Sequence, residues 1–119
     1  MKPVIRTMSV VGLLMCVSLL ASAAEVKGVL MDKMCSGAAA TKGQSFAASH
    51  DTKCALEPPC ASSGFVVFTP EGKVITLDAA GNTKAMAALK ATKKTDHLNV
   101  TVSGDVTGST MKVASLALD

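Results

Sequence analysis

Residues 65–77 read Phe-Val-Val-Phe-Thr-Pro-Glu-Gly-Lys-Val-Ile-Thr-Leu. Two apolar runs, Phe65–Thr69 and Val74–Leu77, flank a Pro and a Gly placed as a turn requires. The segment predicts a β-hairpin, and the pattern on either side extends it into a sheet. Upstream, Val26–Met31 predicts a short first strand. Downstream, Asp78–Asn82 predicts a loop, with Asn82 capping a helix over Thr83–Thr92 that turns Met86 and Leu89 to one face. Leu98–Val102 alternates apolar and polar residues with period two and predicts a half-buried strand. Thr107–Ser109 predicts a turn, and Met111–Leu118 a last strand whose broken alternation places a bulge near Ala114.

Between the first strand and the hairpin lies a long segment, Asp32–Ser63, rich in Ala, Ser, Gly, Thr and Lys. The order is therefore strand, insertion, strand, strand, helix, strand, strand. A mainly β fold with one helix between strands three and four is the order of a small five-stranded OB-like Greek-key barrel. An open antiparallel sheet with one helix packed across it is the alternative.

The N-terminus carries a different signal. Lys2 and Arg6 precede an apolar run, Met8–Leu20, which ends in Ala21-Ser22-Ala23-Ala24. This predicts a signal peptide over residues 1–24, cleaved after Ala23 or Ala24 and too short for a comfortable membrane span. Cys16 lies within the run and follows Met15, an unsuitable neighbour for a lipidated cysteine. The expected product is a single periplasmic or extracellular domain, residues 25–119, with no membrane span. It holds ten Lys, no Arg and nine acidic residues, for a net charge of about +1. With no Trp or Tyr and three Phe, it lacks the basic, aromatic footprint of a nucleic-acid platform. No nucleic-acid partner is expected, and no other partner is legible.

The insertion holds every cysteine of the processed chain: Cys35, Cys54 and Cys60, with His50 between them. Three thiols cannot all pair within one chain. One reading is a disulfide and a spare thiol, with Cys35–Cys60 the natural bridge between adjoining strand ends and Cys35–Cys54 the alternative. A loop of about 25 residues is worth roughly 3 kcal/mol in the chain-entropy model. The other reading is a soft-metal site, Cys35, His50, Cys54 and Cys60, suited to Zn or Cu. It gains if residues 45–54 are helical, because His50 and Cys54 then share a face. The oxidising compartment and the absence of a standard zinc spacing favour the disulfide. His97 reads as a surface residue. No Cys-x-x-Cys, phosphate loop or paired-carboxylate constellation is present, so a noncatalytic binding or structural module is expected. A thiol-active redox or oxidant-sensing protein is the alternative, through Cys54 or Cys60.

Gly28, Asp32, Cys35, His50, Cys54, Cys60, Gly64, Gly72 and Lys73, with the strand Leu98–Gly104, resemble the pattern of a family of small exported bacterial proteins of unknown function. That resemblance implies an OB-like fold and no particular activity.

Overall fold

The structure, a computed structural model, describes residues 24–119. The signal-peptide reading, apart from Ala24, and Cys16 fall outside the described residues. Five strands form one mixed sheet: β1 (Ala24–Asp32), β2 (Phe65–Phe68), β3 (Val74–Leu77), β4 (Asn99–Thr107) and β5 (Thr110–Leu118). The hydrogen-bonded order is β1-β2-β3-β5-β4, and β4 pairs back with β1, so every strand has two neighbours. All pairings are antiparallel except β3 with β5.

The hairpin forms as the sequence predicts. Val66 opposes Thr76 and Phe68 opposes Val74, while Gly72 takes a φ of 81° in the turn. β4 runs five residues beyond the predicted Val102, and the β4–β5 register slips between Ser103 and Gly104. Gly104 opposes Val113 and Ser103 opposes Ser115, which leaves Ala114 as the extra residue of the expected bulge.

β1 serves two partners. Its first half pairs with β4 and its second half with β2, the two ladders meeting at Val29. The crossing is close: a Cβ on Gly28 would run into the Phe68 carbonyl and the Val67 side chain. Only a residue without a side chain lets the strand bend through this point.

β2 explains its unbroken apolar run by being buried on both faces. Phe65 and Val67 join Leu30, Leu98, Val100 and Val102 in the main core. Val66 and Phe68 join Val29 and Met31 in a second cluster on the opposite face, closed by Ala39 and Ala47 of the insertion. The insertion, whose structure its composition left open, is helical. It forms α1 (Lys33–Lys42), α2 (Gln44–Ser49), α3 (Thr52–Ala55) and α4 (Pro58–Ser62). Its alanines are small enough to bring these helices down onto the sheet, which bare hydropathy underrates.

The last helix, α5 (Ala79–Ala91), starts earlier than predicted. Asp78, not Asn82, is the cap: its carboxylate accepts from the Gly81 amide at 2.9 Å and from the Val113 amide at 3.2 Å. Asn82 lies inside the first turns, and its side-chain oxygen accepts from the Phe65 amide at 2.9 Å. Ala85 and Leu89 are buried in the main core, with Met86 partly buried against it.

The amides of Gly81 and Val113 hold the Asp78 carboxyl below its ordinary value. A depressed folded value means that the group adds stability above the ordinary carboxylate range and loses it as pH falls through the folded value. Asp78→Asn keeps the capping oxygen but does not titrate. Urea melts at pH 7 and pH 3 are expected to show a smaller acid loss in the variant than in wild type. An equal loss in both would contradict the capping role assigned to the carboxylate charge.

Candidate metal centre

The insertion brings its chemistry together at helix starts. Asp32 ends β1 and caps α1, accepting from the Cys35 amide at 2.9 Å through Oδ2. Asp51 caps α3, accepting from the Cys54 amide at 2.6 Å. Glu57 stands in the same relation to Cys60 in α4, where Pro58 and Pro59 open the helix without a side-chain cap. The chain thus repeats acid-x-x-Cys three times: Asp32 to Cys35, Asp51 to Cys54 and Glu57 to Cys60. Each cysteine sits three residues after its cap, in the first turn of its own helix.

Tertiary hydrogen bonds hold these starts in place. The Lys33 amide donates to the Gly64 carbonyl at 2.8 Å, and the Met34 amide to the Ser63 hydroxyl at 3.1 Å. That hydroxyl in turn donates to the Cys60 carbonyl at 2.6 Å, so the start of α1 is tied to α4. On the other side, the Thr52 amide donates to the Thr95 carbonyl and the His97 amide to the Ala48 carbonyl, both at 2.8 Å. These bonds pin α2 and α3 to the segment that leads into β4. His97 itself is exposed, as the sequence suggests, with its ring nitrogen 2.8 Å from Asp96.

The sulfurs of Cys35, Cys54 and Cys60 all lie within 4.8 Å of one another. All three are free thiols, so neither Cys35–Cys60 nor Cys35–Cys54 is joined in this structure. Cys60 is buried, while Cys35 and Cys54 are half-buried and give the cluster its solvent side. Burial, followed by the nearby Asp32 carboxylate, pushes the Cys35 thiol up to about 12. The same two causes, in the same order, raise Cys60. A cation bound among the sulfurs would reverse that balance by stabilising thiolates.

His50 arrives differently from the sequence expectation. Residues 45–54 are not one helix. α2 ends at Ser49, His50 has extended backbone, and Asp51 starts α3. The aspartate cap breaks the helix, so a shared helical face does not relate His50 to Cys54. His50 groups instead with Asp32 and Cys35, whose donor atoms also lie within 4.8 Å of one another. The structure therefore divides Cys35, His50, Cys54 and Cys60 between two groups of three that share Cys35. It adds Asp32, which the sequence reading left out of the donor set. The recurrence of acid-x-x-Cys was the signal that marked it.

Asp32 and His50 are both buried, at 0% and 7% exposure. His50 Nε2 lies 2.9 Å from Asp32 Oδ1. The contact is a buried ion pair when the imidazole is protonated; Asp32 Oδ1 and both imidazole nitrogens make no hydrogen bond, and His50 Nδ1 has no partner of either kind. Buried polar atoms are costly in that state, and such atoms in a cluster of soft donors fit a cation. The residues present thus suit Zn(II) or Cu(I), three thiols with imidazole and carboxylate at hand. Among the described residues, no helix is long and apolar enough to cross a membrane. No protein-family model, curated protein or solved structure matches this chain.

Proposed function

We propose that this chain is an exported, noncatalytic metal-binding module, with an OB-like barrel as scaffold and the helical insertion as the binding element. Zn(II) is the favoured ion and Cu(I) its competitor, because oxygen and imidazole beside the thiols suit zinc better than a purely soft ion. The observation that carries this reading is the convergence of Cys35, Cys54 and Cys60, three sulfurs from three separate helices, within 4.8 Å. Two sulfurs on one tetrahedral zinc lie about 3.8 Å apart, from a Zn–S length of about 2.3 Å. A disulfide uses two of these thiols and leaves the third unused. A metal uses all three, and it explains why three helix starts are held together by hydrogen bonds from both flanks.

The ion also suits a small exported domain, whose core alone is marginal and gains from a staple. Native mass spectrometry of protein exported and purified without oxygen is expected to show bound zinc and, after acid release, a fully reduced chain. A chain two hydrogens lighter and free of metal would support the disulfide reading instead.

A further inference from the structure

We propose that the cluster takes two Zn(II) ions, with the Cys35 thiolate shared between them: Cys54 and Cys60 complete one set of donors, and Asp32 and His50 the other. This rests on the thiol-based metal reading above and extends it. The first argument is the grouping itself. Cys35 belongs to both sets of mutually close donors, while His50 and Asp32 are not grouped with Cys54 or Cys60. A single ion held by Cys35, His50, Cys54 and Cys60 needs all four donors around one point. A thiolate sulfur carries enough lone pairs to bind two cations at once, and Cys35 is placed to do so.

The second argument is the buried polar atoms that make no hydrogen bond. Asp32 Oδ1 and the His50 nitrogens are buried and without hydrogen bonds, yet Nε2 and Oδ1 face each other at 2.9 Å. Asp32 is already anchored through its other oxygen, Oδ2, by the Cys35 amide. One carboxylate oxygen is thus used to hold the helix start, and the other is left aimed into the cluster beside the imidazole and the sulfur. Oxygen, nitrogen and sulfur in one set are the three donor types that zinc accepts.

The third argument is charge. Once bound to zinc, the three sulfurs are thiolates and with the Asp32 carboxylate carry four negative charges, Asp32 and Cys60 buried and Cys35 and Cys54 half-buried. One Zn(II) cancels two of them, and two Zn(II) with neutral His50 cancel all four. Uncompensated buried charge is strongly unfavourable, so the second ion completes the site. No electrons move in this binding; the thiol protons leave to water as the sulfurs bind zinc.

The test is a titration of reduced, metal-free protein with Zn(II) without oxygen, followed by desalting and elemental analysis. Wild type is expected to retain two zinc per chain, and His50→Ala and Asp32→Asn one each. Asparagine preserves the helix cap, so the second variant separates loss of a ligand from loss of local structure. If wild type retains one zinc, or if either folded variant still retains two, the two-ion assignment is overturned and the three-thiol site stands. If wild type retains none, the proposed function fails as well. Should neither variant fold, the wild-type count alone decides between one ion and two.

Discussion

Leu89→Ala is expected to destabilise the domain by about 2–5 kcal/mol, the range for emptying a buried leucine site. Leu89 is 1% exposed on the inner face of α5 and belongs to the main core with Phe65, Val100 and Val102. The surroundings cannot close easily over the gap. Ala85, one turn earlier, is already small, and Gly81 lies so close to Val113 and Leu77 that the helix is held at its present height. A single domain has only about 5–15 kcal/mol in total, so the loss is a large share of its stability. Lys90→Ala, on the exposed face of the same helix, serves as the control and is expected to change stability by less than about 0.5 kcal/mol. Urea unfolding of the two variants decides the point. A Leu89→Ala effect below half a kcal/mol would mean that α5 does not dock on the sheet as described.

The sheet was legible because its strands advertise themselves in two ways. Val100 and Val102 alternate with polar residues, and β2 is a continuous apolar run with a turn after it. The bulge at Ala114 was also readable, since the alternation of β5 breaks there. The start of α5 was not. Asp78 and Asn82 are both good caps, and local sequence does not choose between them. Tertiary contacts choose: Asp78 reaches Val113 on β5, and Asn82 is occupied by the Phe65 amide. The insertion was the least legible part. Its helices are short, and α1 buries only Ser36 and Ala39, of which Ala39 packs against the sheet, with no large apolar stripe.

The candidate site was legible in its sulfurs and less so in its other donors. An odd number of cysteines in one polar stretch pointed to a cluster, and the structure brings Cys35, Cys54 and Cys60 together. His50 was readable as a neighbour, but its grouping depends on where α2 ends, which Asp51 fixes through a cap. Asp32 opened the insertion beside the cysteines but was not read as a donor. The recurrence of acid-x-x-Cys hints at it, and its second role becomes plain when one oxygen is seen on the Cys35 amide and the other, without a hydrogen bond, beside His50.

The measurement that tests the metal reading most directly is a thermal melt of wild type and Cys54→Ser, prepared without oxygen, with and without a strong chelator. A ligand that binds only the folded state at a thousand times its Kd contributes about 4 kcal/mol. For a domain of this size that corresponds to a Tm shift of roughly 16–32 °C. Cys54 supplies one of three converging sulfurs, so its loss weakens the ion's hold while removing little packing, because the residue is only half-buried. Wild type is expected to lose that large shift on chelation and to regain it when zinc is restored. Cys54→Ser is expected to melt well below the zinc-loaded wild type and to lose less than wild type does when chelator is added, because only the three-thiol set includes Cys54. Wild-type melts that superimpose with and without chelator, in protein whose three thiols are verified as reduced, would contradict the account.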